Sequence, residues 1–163
     1  MNFAQISPAF PPDISGVGDY AALLQQSISD RESLKTVVPR PAMSVQYASD
    51  LCSVIRPNAC SLEQSLANVE RVLLHFSGYG YARRGLCHWL VEGLKRWKAA
   101  DSGRRMVTMF HEVYATGPIW RSSFWTARQQ RRIARDLARL SDSAFVSSQG
   151  GFDQVRQLQP ELP

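Results

Sequence analysis

Residues 71–110 read RVLLHFSGYGYARRGLCHWLVEGLKRWKAADSGRRMVTMF, and this stretch decides the fold class. Arg71–Phe76 and Met106–Phe110 are short apolar runs of the kind found in buried strands. Between them, Leu86–Lys98 has apolar residues at helical spacing and charged residues on the opposite face. A strand, a helix of about 10 to 15 residues and a second strand form a βαβ unit, so the stretch predicts a parallel sheet covered by helices.

The same alternation extends to both ends of the chain. Further strands are predicted at Asn2–Ser7, Leu34–Val38 and Ala144–Ser147. A helix is predicted from about Gly18, and its buried stripe is Tyr20, Leu23, Leu24 and Ile28. Another is predicted at Ser61–Asn68, where Ser61 and Gln64 form a capping box. The remaining predicted helices are Tyr47–Ile55, Thr126–Leu140 and Asp153–Leu158. The fold class is therefore α/β: a Rossmann-like, doubly wound, mostly parallel sheet with helices on both faces, in one domain over residues 1–163.

The composition excludes several classes of protein. The 163 residues, 44% hydrophobic and 20% charged, suit one globular domain. No window approaches the roughly 18 apolar residues of a membrane-spanning helix, and the N-terminus lacks the basic and apolar regions of a signal peptide. We therefore expect a cytoplasmic protein. Cys52, Cys60 and Cys87 are an odd number without CxxC spacing, which predicts neither disulfides nor a zinc site.

The net charge of +5 is unevenly distributed along the chain. Residues 1–70 carry four basic and seven acidic side chains, whereas residues 71–140 carry fourteen basic and four acidic ones. A segment this basic favours anionic partners such as phosphates or acidic lipid head groups.

Ligands of such sheets bind beyond the carboxyl ends of the strands, and the first candidate there is Gly16-Val17-Gly18. These residues open a GxGxxA pattern, and glycines at a helix N-terminus can bring backbone amides to a phosphate. The alternative is that the glycines only form a sharp turn. An NAD(P)-dependent oxidoreductase is disfavoured, because a proline-rich loop separates the pattern from its strand and Arg40 follows the second strand where an acid is expected.

Two further candidates follow the strands of the 71–110 stretch. His111 and Glu112 come directly after the second strand, where a histidine can bind a hydroxyl or exchange a proton, or can simply cap the strand. The loop after the first strand crowds aromatic and basic side chains that suit a sugar or an anion, although packed tyrosines with solvated arginines are an equal alternative: Tyr79, Tyr81, Arg83 and Arg84. His75 and His88 are expected to be structural.

The fourth candidate is the basic helix Thr126–Leu140. Its basic residues are Arg128, Arg131, Arg132, Arg135 and Arg139, against one acid, Asp136. Such a helix can lie on an anionic membrane, while the alternative is a solvated face. No nucleic-acid partner is expected, because no known binding module is present.

Three segments together resemble the N-terminal lobe of bacterial glycosyltransferases of family 4, which have the GT-B fold. They are ISPAFPP with SGVGDYAALL (residues 6–24), VLLHFSGYGYARRGLCHWLVEGL (72–94) and MVTMFHEVYATGPIW (106–120), followed by the arginine-rich helix. The resemblance implies retaining transfer of a hexosyl group from a nucleotide-sugar donor to a glycan or lipid-linked acceptor, as in the synthesis of cell-envelope polysaccharides. The alternatives are a non-catalytic module that binds anionic membrane or phosphate ligands and, less favoured, the oxidoreductase.

The resemblance also implies roles for the candidate residues. Gly16, Val17 and Gly18 would approach the diphosphate of the donor, and His111, the catalytic candidate, would contact the transferred sugar. Acceptor contacts would come from Asp19, Tyr79, Tyr81, Arg83, Arg84 and Glu112, and membrane or anion contacts from Arg128, Arg131, Arg132, Arg135 and Arg139. No metal or cofactor is expected, since the nucleotide-sugar is a substrate. We expect the donor-binding lobe of this family to be absent from the chain and supplied in cis or in trans, with peripheral contact to the inner face of the cytoplasmic membrane.

Overall fold

Six parallel strands form one sheet in the order β3-β2-β1-β4-β5-β6 in the computed structural model, which describes residues 2–29, 34–40, 52–115 and 122–163. The strands are β1 (Phe3–Ile6), β2 (Leu34–Pro39), β3 (Cys52–Ile55), β4 (Arg71–Phe76), β5 (Arg105–Phe110) and β6 (Ser143–Val146). The helices are α1 (Gly16–Ser29), α2 (Ala59–Ser65), α3 (Gly78–Tyr81), α4 (His88–Ala99), α5 (Ser122–Leu140) and α6 (Gln149–Leu158). The predicted Rossmann-like α/β class is confirmed.

Helices cover both faces of this sheet. The larger core joins alternate strand residues, such as Ile6 and Leu74, to the buried sides of α2, α4, α5 and α6. The smaller core joins Ala21 of α1 to Val38 on the other face. Because side chains alternate across a strand, Gln5 and His75, which neighbour Ile6 and Leu74, lie on the face that α1 covers.

The predicted buried stripe of α1 is wrong at two of its four positions. Leu24 and Ile28 are half-buried, but Tyr20 is 42% exposed and Leu23 is 63% exposed. The helix instead turns Ala21 and Gln25 toward the sheet. The reason is polar: the Gln25 side chain donates a hydrogen bond to the carbonyl of Leu34 (3.0 Å), which fixes that side of α1 against β2.

Two local predictions between β2 and β4 are also wrong. Of the helix predicted at Tyr47–Ile55, Cys52–Ile55 is strand β3 because it pairs with the free edge of β2, and the remainder lies outside the described residues. Helix α2 has Asn58 as its N-cap, whose side chain accepts a hydrogen bond from the amide of Ser61 (2.8 Å). An asparagine therefore caps this helix, which ends at Ser65, in place of the predicted Ser61/Gln64 box.

The strand order positions the site. β1 lies between β2 and β4. From β1 the sheet continues through β2 and β3 to one side, and through β4, β5 and β6 to the other. In open parallel sheets the connections diverge at this reversal, and a crevice forms beyond the carboxyl ends of the two central strands. Ser7, which follows β1, and Ser77, which follows β4, mark the edges of that crevice.

Candidate functional site

The loop between β1 and α1 folds back over the start of α1. A Cβ atom on Gly18 would lie 3.1 Å from the backbone carbonyl carbon of Ala9, so a side chain there would be crowded unless the loop shifted. A Cβ atom on Gly16 would meet nothing within 4 Å. The packing of the loop thus accounts for a glycine at position 18, whereas Gly16 begins the helix without such crowding. Contact of these residues with a diphosphate stays a prediction.

A buried hydrogen-bonded network joins three side chains across β1, β4 and β5. His75 Nδ1 lies 3.3 Å from His111 Nε2, and His75 Nε2 lies 3.1 Å from Gln5 Oε1. Gln5 Nε2 donates in turn to the carbonyl of Ala21 (2.9 Å) and to Thr36 Oγ1 (2.8 Å). We call Gln5, His75 and His111 the histidine network. It connects the completely buried centre of the sheet to His111 at the strand end.

Tyr20 of α1 closes the network on one side. Its ring packs edge-on against both imidazoles, with centroids 5.7 Å from His75 and 6.0 Å from His111. The two imidazoles stack with centroids 5.5 Å apart. The beginning of α1 and the end of β5 therefore belong to one site, although Tyr20 and His111 lie 91 positions apart in the sequence.

The environment favours neutral imidazoles. Burial, with a smaller contribution from the nearby His111, lowers the pKa of His75 to about 4. Burial also lowers the pKa of His111, and the carboxylate of Glu112 opposes that shift. Glu112 itself is exposed and accepts a hydrogen bond from the Ser77 hydroxyl (3.1 Å), so it links the ends of β4 and β5.

The two predicted tyrosines lie in different surroundings. Tyr81 is buried, and its hydroxyl shares its hydrogen between the carbonyl oxygens of His75 (2.8 Å) and Ile6 (3.1 Å), which is a structural role. Tyr79 is 52% exposed, and its hydroxyl accepts a hydrogen bond from Gln130 Nε2 (3.2 Å). Their short helix α3 rests on the loop after β1, since a Cβ atom on Gly80 would lie only 2.6 Å from Pro8.

A cavity of about 280 Å³ lies beside His111, on the side toward α5 and α6. Its lining includes Gly78, Tyr79, His111, Glu112, Tyr114 and Gln130. The structure thus brings three of the predicted residues, Tyr79, His111 and Glu112, to one cavity. Of the other predicted residues, Arg83 and Arg84 are exposed on the loop after α3, and Asp19 is exposed near the start of α1.

Gln130 was missed as a site residue and is buried at this cavity. Its side chain donates to the Arg84 carbonyl (2.7 Å) and to the Tyr79 hydroxyl (3.2 Å), and accepts from the Ala115 amide (3.0 Å). It therefore ties α5 to the loops after β4 and β5. Its position in the sequence is the signal that could identify it. Gln130 precedes Ile133 and Leu137 at helical spacing, so it lies on the buried stripe of a helix whose charged residues are its most obvious feature.

The predicted basic residues of α5 form one outward surface. This arginine face consists of Arg128, Arg131, Arg132, Arg135 and Arg139, which line a groove of about 650 Å³. Asp136, the acid on the same helix, pairs with Lys95 of α4 (3.7 Å). Among the described residues no carboxylate forms an ion pair with an arginine of this face. The Arg131 guanidinium lies 5.7 Å from the centroid of the Tyr114 ring, so the arginine face begins at the rim of the cavity.

Fold and site together define a Rossmann-like α/β protein with a histidine-containing crevice at the reversal of strand order. No family model and no curated protein matches the sequence. Among solved structures the chain is similar to UDP-N-acetylglucosamine 4-epimerase from Bacillus cereus, with 10% sequence identity and a TM-score of 0.47 over 85% of this chain and 54% of that one. The chain spans about half the length of that structure. A likeness this distant carries no weight for ligand or activity.

None of the helices in the described residues is both long enough and apolar enough to cross a membrane.

Proposed function

We propose that this chain is the acceptor-side lobe of a glycosyltransferase that moves a hexosyl group from a nucleotide-sugar to a glycan or lipid-linked acceptor. The observation that carries the proposal is the meeting of α1 with the end of β5, where Tyr20 packs on His111 at the crevice between β1 and β4. The first turns of α1 thus adjoin His111 through Tyr20, and His111 in turn lines the cavity. These are the parts needed to bind an anionic donor beside a polar acceptor.

Each part has a physical task. The positive end of α1 attracts an anion, and the space around Gly16 leaves room for a diphosphate at the backbone amides of Gly16 and Val17. His111 contacts a hydroxyl of the sugar, and the cavity beside it, edged by Tyr79 and Glu112, accepts the second substrate. Arg83 and Arg84 stand exposed on the neighbouring loop, where they can bind acidic groups of an acceptor.

The family 4 resemblance supports the same proposal. The segments that carry it include the loop after β1 with the start of α1, the helix α3 after β4, and the end of β5. They touch through Pro8 with Gly80 and through Tyr20 with His111. Departure of a nucleoside diphosphate needs cations close to the leaving oxygen, which in this family lie on the donor-binding lobe. We propose that such a lobe acts with this chain in cis or in trans.

Sugar transfer by the chain together with a donor-binding lobe tests the proposal. We expect His111→Ala to lower kcat/KM about tenfold, because one neutral hydrogen bond to the sugar is lost. His88→Ala is the matched control, since His88 is exposed on α4, and it should leave transfer unchanged. Full activity of His111→Ala combined with Gly16→Val would contradict the site assignment.

A second candidate function is binding to an anionic membrane, and the arginine face favours it. Arg128, Arg131, Arg132 and Arg139 are exposed, and no carboxylate of the described residues pairs with them, so they are available to phosphate groups outside the protein. The buried stripe of Ile133 and Leu137 orients α5 so that this face points outward. The contact is compatible with the first proposal, since lipid-linked acceptors lie at a membrane surface.

Co-sedimentation with phosphatidylglycerol vesicles checks the membrane contact. Each arginine near an anionic surface contributes about 1 kcal/mol, so Arg128→Gln with Arg132→Gln should weaken binding about 30-fold. Arg56→Gln with Arg71→Gln removes the same charge from exposed positions elsewhere and should have little effect. Equal binding to phosphatidylcholine vesicles, or binding insensitive to salt, would count against the contact.

A further inference from the structure

The orientation of the Gln5 side chain fixes the direction of every hydrogen bond in the histidine network. Gln5 Nε2 lies 2.9 Å from the carbonyl oxygen of Ala21. A carbonyl oxygen can only accept, so the group that faces it must be the amide NH₂. The atom that Gln5 turns toward His75 is therefore its carbonyl oxygen, Oε1, at 3.1 Å.

This orientation determines which nitrogen of His75 carries a proton. Gln5 Oε1 can only accept, so His75 Nε2 carries the hydrogen between them. Because burial lowers the pKa of His75 to about 4, the ring is neutral at neutral pH and its Nδ1 holds a lone pair. His75 Nδ1 then accepts a hydrogen bond from His111 Nε2, 3.3 Å away.

The hydrogen bond to His75 also determines which nitrogen of His111 carries a hydrogen. Its Nε2 must carry a hydrogen to satisfy His75, and in a neutral ring this leaves Nδ1 with a lone pair. Among the described residues nothing forms a hydrogen bond to His111 Nδ1, and the half-buried ring lines the 280 Å³ cavity. The nitrogen of His111 that remains available to a ligand is therefore Nδ1, and it is a hydrogen-bond acceptor.

We propose that Gln5 and His75 are positioning residues that hold His111 in its Nε2–H tautomer, so that His111 Nδ1 accepts a hydrogen bond from a ligand hydroxyl. The tautomer follows from the network alone, while the identity of the hydroxyl as one of a sugar rests on the proposed function. An acceptor nitrogen repels the oxygens of phosphate and carboxylate groups. His111 thus selects a neutral hydroxyl even though the surrounding crevice attracts anions.

Two-bond ¹H–¹⁵N correlation spectra of the full chain at pH 7.5 test the tautomer directly. The chain has three histidines, so the spectrum contains three imidazoles, and single His→Gln variants assign them. His88 is exposed and serves as the internal reference for a ring that exchanges between tautomers. We expect protonated Nε2 and unprotonated Nδ1 in both His75 and His111. A protonated Nδ1 in neutral His111 would overturn the proposal.

Two matched variants test the role of His75. In His75→Asn the amide oxygen can occupy the Nδ1 position and accept from His111, so the tautomer of His111 should be retained. In His75→Gln the amide is displaced toward the Nε2 position, and His111 should show averaged nitrogens like those of His88. An unchanged His111 in a folded His75→Gln protein would overturn the positioning role. The wild-type spectrum tests the tautomer even if a variant fails to fold.

Inorganic phosphate is the probe for the acceptor role. Adding it at pH 7.5 should leave the unprotonated Nδ1 resonance of His111 in place, whereas a shift toward the protonated value would overturn the role. The outcomes also separate this inference from the proposed function. The expected tautomer with no loss of sugar transfer in His111→Ala refutes only the glycosyltransferase, and the opposite tautomer with loss of transfer refutes only the inference.

Discussion

The free energy of unfolding is expected to fall by about 3 kcal/mol between pH 7 and pH 4 through His75 alone. The folded-state pKa of His75 is about 4, below its ordinary value of 6.5, because burial disfavours the charged ring. As the pH falls below 6.5, the unfolded chain binds a proton at His75 that the folded protein does not bind. The contribution of His75 to stability is therefore present above pH 6.5 and is lost progressively as the pH falls to about 4.

Urea denaturation at several pH values measures this loss. The His75→Gln variant removes the titrating group and should show a loss smaller by about 3 kcal/mol over the same range. His88→Gln is the matched control, and its pH dependence should follow that of the wild type because His88 is exposed. Parallel curves for wild type and His75→Gln would show that the pKa of His75 does not change on folding, and would contradict the prediction.

Gly18→Val should destabilise the fold by about 3 kcal/mol, at the upper end of the range for overpacking. Its Cβ would lie 3.1 Å from the backbone of Ala9 and 3.2 Å from the amide nitrogen of Phe10. Backbone atoms cannot rotate away as a side chain can, so the loop after β1 must move or α1 must separate from the sheet. Valine has a better helix propensity than glycine, so the loss would report the clash and not the helix.

Gly16→Val is the matched control for this substitution. It places the same side chain two residues earlier in α1, where nothing lies within 4 Å of the Cβ position. Thermal unfolding should show a change within about 0.5 kcal/mol of the wild type, as is usual for an open surface position. Equal destabilisation by the two variants would show that the loop does not pack on Gly18. Since Gly16→Val should remain folded, it also tests the diphosphate contact without a change in stability.

The order of strands and helices could be predicted because it depends on local patterns. Arg71–Phe76 is predicted with the bounds that the structure has, since a short apolar run between turn residues suits a buried parallel strand. The face that a helix buries depends on distant partners, and α1 shows this. Gln25 turns its side of the helix toward Leu34, which a hydrophobic stripe cannot anticipate.

The candidate site was predicted in part for the same reason. His111 and Glu112 are predicted because they follow a buried strand, at the edge where parallel sheets bind ligands, and the structure brings both to one cavity. His75 was expected to be structural, and it is completely buried, yet its contact with His111 depends on the register that places β5 beside β4. Gln5 could be recognised as a candidate from the sequence, since it is a polar residue between Ala4 and Ile6 in a buried strand.

The hydroxyl of Tyr81 has a consequence for how the crevice binds. Its single hydrogen is shared between the carbonyl oxygens of Ile6 and His75, so it bridges the last residues of the two strands that border the crevice. The separation of these strand ends is therefore set before any ligand arrives. A ligand that fits does not have to order the two walls, so more of its contact energy appears as affinity, and one that is too wide is rejected by a preorganised aperture.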